Sequence, residues 1–142
     1  MMDPRTRALH ALARLRKTEA DQAQAALAQA LADERTASGT VDACRARIES
    51  ERVAATGDIT LAEAFRDWLP IGREAVERAQ EALNAARRAS GQARAAMIRA
   101  NAALKAAQAI VDKRQEEENE IRARREQAEI DDLSRRNSMT LT

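Results

Sequence analysis

VERAQEALNAARRASGQARAAMIRANAALKAAQAIV, residues 76–111, decides the fold of this chain. Val76, Leu83, Ser90, Met97, Leu104 and Val111 recur every seven residues, and Ala79, Ala86, Ala93, Ala100 and Ala107 keep the same period three places later. Small or apolar residues at the first and fourth places of an unbroken heptad (a and d) form the seam of a coiled coil. Alanine at every d lets two helix backbones approach closely but buries little area per residue, so stability has to accumulate along the length of the pairing.

The composition permits little else. Of 142 residues, 33% are charged, one is Trp, one is Phe and none is Tyr, with four Gly and two Pro. Such an inventory does not fill a compact core and matches a long helical protein, so the predicted fold class is all-α. The net charge of +1 exerts no general pull on nucleic acid or anionic membrane. The chain lacks an apolar run near the ~18 residues of a membrane span, and it lacks a signal-peptide core, so no membrane insertion is expected and the cytoplasm is the default compartment. A single cysteine, Cys44, excludes an intrachain disulfide.

Outward from the seam, the partner helix lies upstream. Asp3-Pro4 is a helix start, with aspartate to cap the first donors and proline suited to the first turn. From there to about Val53, Leu27, Val41 and Ile48 share one heptad position and Ala30, Ala37 and Cys44 the matching one, with Glu34 as a charged intruder. Leu9, Leu12 and Leu15 read as a different phase, which predicts a slip near residues 16–22. Residues 54–60 hold Gly57 and Asp58 and form a hairpin tip, followed by a capping box at Thr60 and Glu63. Pro70 predicts a short helical piece over 60–69 and a kink over 69–72 before a second long helix over 73–136, with a frayed tail over 137–142. A turn centred on Gly57 sets Pro4 against Val111. The chain thus reads as one long two-helix antiparallel coiled-coil hairpin with a protruding C-terminal helix that is unpaired from Asp112 onward. In that tail, Glu118/Arg122, Glu120/Arg124, Asp131/Arg135 and Asp132/Arg136 are acid-first pairs one helical turn apart, able to hold a helix without a core.

No catalytic constellation is present: the one histidine, His10, and the one cysteine lack partners for metal or nucleophilic chemistry, and no phosphate-binding glycine loop occurs. The chain is therefore expected to be no enzyme and to take no cofactor or metal. Arg87, Arg88, Arg94, Arg99 and Lys105 are spread around the helix and read as a solvated face rather than a nucleic-acid surface. Phe65, Trp68, Leu69 and Ile71 form the one aromatic cluster, beside the tip where a two-helix coil has little area to cover it. Trp68 either folds back on Ile48 or Ile59 to seal the tip or anchors a partner protein.

Three stretches carry a family resemblance: LARLRKTEADQA (12–23), WLPIGREAVERA (68–79) and RREQAEIDDLSRR (124–136). Together they resemble the FliJ/YscO family, the central-stalk proteins of flagellar and virulence type III export ATPases. The resemblance implies a coiled-coil hairpin whose terminal end sits in a hexameric export ATPase and whose tip faces the cytoplasmic domain of the export-gate membrane protein, with secretion chaperones as further partners. On it, Arg124, Arg125, Glu126, Gln127, Asp131, Asp132 and Arg136 become ATPase-facing, and Trp68 and Ala75 gate-facing beside Phe65, Leu69 and Ile71. Arg47 and Glu51 stand where flagellar members carry aromatics, and Gly72 where an aliphatic is usual, departures that lean toward the virulence branch. The competing readings are a generic coiled-coil adaptor or secretion chaperone and an amphipathic surface-coat protein. The alanine seam disfavours the second, because coating an apolar surface needs bulky side chains.

Overall fold

The computed structural model describes residues 2–140 and is 96% helical, with no strand among the described residues. Helix α1 spans Pro4–Ala54 and α2 spans Ile59–Thr140, and the two pack against each other as an all-α hairpin.

The tip is built from local chemistry. The N–H groups of Ala55 and Thr56 donate to the carbonyls of Glu51 and Val53, both at 3.1 Å, and Gly57 follows with φ of 89°, a conformation that costs glycine nothing. Asp58 then caps α2, its Oδ1 accepting the N–H of Thr60 at 2.9 Å and of Leu61 at 3.4 Å. The cap therefore falls on Asp58 instead of Thr60: α2 already begins at Ile59, and the free donors of that first turn, at Thr60 and Leu61, are the ones a carboxylate at 58 reaches. At Pro70, where a kink over 69–72 was expected between a short piece over 60–69 and a helix from 73, the helix is not interrupted: α2 runs through the proline as one element. A proline deletes one backbone bond, and the packing of the following turns, where Gly72 and Ala79 are buried, offsets that loss. The end expected to fray from 137 is helical to Thr140, while Leu141 and Thr142 lie outside the described residues.

The chain groups into two compact units. In the unit Asp21–Arg99, Val41, Leu83 and Ala79 form the core at 2%, 4% and 7% exposure, with Ala37 and Cys44 packed against them. Ser90, the one polar a residue of the quoted stretch, is buried there, and its Oγ lies 3.2 Å from Glu34 Oε1 and 3.0 Å from the Arg87 carbonyl. The charged intruder of one seam and the polar exception of the other thus answer each other.

The second unit combines the chain up to Ala20 with the chain from Ala100 onward. Thr6, Ala20 and Ala107 are buried, and Leu9, Ala13, Arg16, Leu104 and Val111 are half-buried. These α1 positions keep the heptad phase that Leu27, Val41 and Ile48 set in the other unit, so the expected slip near 16–22 is absent. Leu9 is a seam residue; Leu12 flanks the seam and Leu15, at 52% exposure, faces solvent.

Pairing also runs further than expected. Thr6 meets Glu118 where a turn centred on Gly57 would give it Ala109, and Glu34 meets Ser90 where that turn would give it Glu81. The first turns of α2 wrap the end of α1, with Leu61, Ala64, Phe65 and Trp68 gathered about Glu51, Ala54 and the buried Ala55. Several residues of α2 are used before its seam begins, so the seams, and not the midpoint of the turn, set the register.

Candidate partner-docking surfaces

At the tip the structure joins part of the predicted cluster. The Phe65 and Trp68 rings stand 6.1 Å apart between centroids at 36°, a tilted aromatic pair. They line an open cleft of about 220 Å³ with Glu51, Ala54, Ala55, Leu61 and Ala64. Leu69 and Ala75 are half-buried, while Ile71 is 59% exposed and belongs to the outer surface. Ile59, offered as a seal for Trp68, is 80% exposed and seals nothing. Val53 and Leu61, at 57% and 50% exposure, extend the apolar surface around the turn.

Two contacts of Trp68 were not legible in the sequence. The Arg47 guanidinium carbon lies 5.2 Å from the indole centroid, within cation–π range. On the same helix the indole lies against Gly72 so closely that a Cβ there would come within 2.7 Å of the ring. In the sequence both residues stand out as departures from a family pattern, and nothing in their type or spacing points to the indole. Near them Arg52 donates to Glu49 at 2.6 and 3.0 Å, and this hydrogen bond lowers the Glu49 pKa and raises that of Arg52, although both side chains are in solvent.

At the terminal end, the residues expected to be unpaired from Asp112 divide at Glu118. Arg114 is the hub: its guanidinium reaches Asp3 Oδ2 at 3.1 Å, Glu117 at 3.7 Å and Glu118 at 3.5 Å, and Glu118 accepts the Thr6 hydroxyl. Arg114 Nε is buried without a hydrogen bond, held at ion-pair distance from Glu118. The signal for this clasp was in the heptad, because Arg114 and Glu118 continue its two seam positions beyond Val111. Composition hid it, since the seam turns polar there.

From Asn119 to Thr140 every residue is exposed, including all of Arg124, Arg125, Glu126, Gln127, Asp131, Asp132 and Arg136. Of the acid-first pairs, Asp132 and Arg136 meet at 3.3 Å. Glu118 turns inward instead of to Arg122, and Asp131 accepts from Gln127 Nε2 at 3.0 Å. Arg125 lines a shallow cleft with Met2, Asp3, Gln115, Glu118, Ile121 and Arg122, which places it beside the clasp. Among the described residues no group of three or more His, Cys, Asp or Glu could hold a metal ion, and no helix is long and apolar enough to cross a membrane.

Comparison with curated proteins returned no match, and neither did comparison with solved structures. One family model matches, that of the flagellar FliJ protein, over residues 5–140. That span includes both helices, the tip and the exposed helix end, and the model is the flagellar one, whereas Arg47, Glu51 and Gly72 had leaned toward the virulence branch. The chain therefore belongs to the flagellar FliJ family and is a structural component of the flagellar protein export apparatus.

Proposed function

We propose that the chain is a non-enzymatic stalk and coupling component, its terminal end inserted in the hexameric export ATPase and its tip docked on the cytoplasmic domain of the export gate. The observation that carries this reading is the solvent-exposed helix over 119–140, which is largely polar, mixes basic and acidic groups, and leaves even Ile121, Ile130, Leu133 and Met139 outside any core. A largely polar helix with no core of its own is either solvent-bridging or surface offered to a partner. Arg124, Arg125, Glu126, Gln127, Asp131, Asp132 and Arg136 present charge and hydrogen-bonding groups to the ring. Phe65, Trp68, Leu69, Ile71 and Ala75 give the tip an aromatic anchor of the kind that dominates protein interfaces. Coupling then consists of binding one conformation of the ring better than another.

Co-purification with the export ATPase tests the reading. A chain ending at Glu118 keeps the Asp3–Arg114–Glu118 clasp and is expected to lose the ATPase, as is Arg124→Glu combined with Arg125→Glu. Binding by the intact chain should weaken as salt rises. Full retention by both variants would replace this reading with that of a generic adaptor or secretion chaperone.

A further inference from the structure

Trp68 is the one tryptophan of the chain, and its setting is more specific than an exposed aromatic requires. Its indole lies in a notch that exists because residue 72 has no side chain: an added Cβ would stand 2.7, 3.0 and 3.1 Å from three ring carbons. Contacts below 3.0 Å between a Cβ and a ring are forbidden by packing, so alanine at 72 displaces either the indole or the backbone. Across the hairpin, Arg47 lays its guanidinium over the ring at 5.2 Å, and Phe65 holds the ring from one turn earlier on α2. Glycine inside a helix is unfavourable for the helix itself, which makes a buried Gly72 costly unless the space it leaves is used.

We propose that Gly72 and Arg47 are positioning residues for Trp68, a two-sided seat that holds the indole in one orientation for docking against an apolar surface of the export gate. This rests on the reading of the tip as the gate-facing end. A ring held in place before contact loses less freedom on binding, so a seated Trp68 docks more tightly than a mobile one. Arg47 keeps the ring from collapsing elsewhere on the tip while leaving its charge in water. Neither residue touches the partner in this account; both act through the indole.

Because there is one tryptophan, its fluorescence reports on the seat alone. Gly72→Ala is expected to keep its helicity, alanine being the stronger helix former, while emission shifts to the red and acrylamide quenches it more strongly. Arg47→Ala is expected to raise quenching and to weaken capture of the gate's cytoplasmic domain about two- to fivefold, the equivalent of one exposed cation–π contact. Arg47→Lys should restore part of both. Wild-type emission and quenching in Gly72→Ala would overturn the seat. Reddened emission with undiminished capture, in a background where Trp68→Ala abolishes capture, would overturn the positioning role. Undiminished capture by Trp68→Ala itself would overturn the docking reading while leaving the spectroscopic evidence for the seat intact.

Discussion

Leu83→Ala removes three carbons from a side chain that is 4% exposed and packed among Val41, Ala79, Ala37 and Cys44. At about 0.8 kcal/mol per buried carbon the transfer loss is about 2.4 kcal/mol. A rigid core would add a cavity penalty and carry Leu→Ala costs toward about 5 kcal/mol. Here the neighbours Ala79 and Ala37 are small, and among the described residues no side chain is less than 2% exposed, so the seam can close over much of the vacated space. The expected loss is therefore about 2 to 3 kcal/mol, toward the lower end of the usual range for this substitution. Urea denaturation followed by circular dichroism measures it, with Leu15→Ala as the paired control. Leu15 is 52% exposed, and its truncation should cost no more than about 0.5 kcal/mol. Equal losses in the two variants would refute the continuous heptad phase, because they would put Leu15 in the seam.

Glu34→Leu should stabilise the hairpin by about 1 kcal/mol, since a polar seam residue is traded for an apolar one and Ser90 keeps the Arg87 carbonyl as a partner; an unchanged or lowered melting temperature would contradict this. Ser90→Ala should cost about 1 kcal/mol by the same assay, because Glu34 loses the hydroxyl it accepts. Arg114→Ala is expected to speed amide exchange in the first turns of α1, where Asp3 and Thr6 are tied, and to leave protection around Val41 and Leu83 unchanged. The Glu49 carboxyl should titrate below an ordinary glutamate because Arg52 donates to it, and its midpoint should rise in Arg52→Ala when followed by NMR. The sign follows: a lowered folded-state pKa contributes stability above the unfolded value and loses it as pH falls through the folded one, and for a pair this exposed the melting temperature should barely move.

The helical hairpin was legible because the a/d seam over Val76–Val111 is a long periodic signal that no local exception can hide. Register was harder. A turn glycine marks where the chain reverses but not how many residues the following helix spends around the tip, and Phe65 and Trp68 with their neighbours spend several. Phase is hard to read where bulk and position disagree: Leu12 and Leu15 are the conspicuous residues, while Thr6, Ala13, Arg16 and Ala20, small or polar, hold the seam positions. The same bias ended the pairing at Val111, because Arg114 and Glu118 do not look like core residues until Asp3 and Thr6 are set opposite them. At the tip, Phe65 and Trp68 stood out by type. Gly72 and Arg47 did not, since a notch and a stacked cation arise from three-dimensional proximity that neither spacing nor composition encodes.

The change of chemistry along an unchanged heptad has a consequence for how the pairing comes apart. Opening the layers around Leu83 and Val41 exposes apolar area, so urea, whose leverage scales with the surface newly wetted, acts on them strongly. Separating Thr6 and Asp3 from Glu118 and Arg114 wets groups that are already polar, and it should carry a shallow urea dependence together with a steep response to ionic strength. Local opening around Arg114 is in that sense an ionic event and local opening around Leu83 a solvophobic one. A change in salt can therefore loosen the clasp without wetting the apolar core.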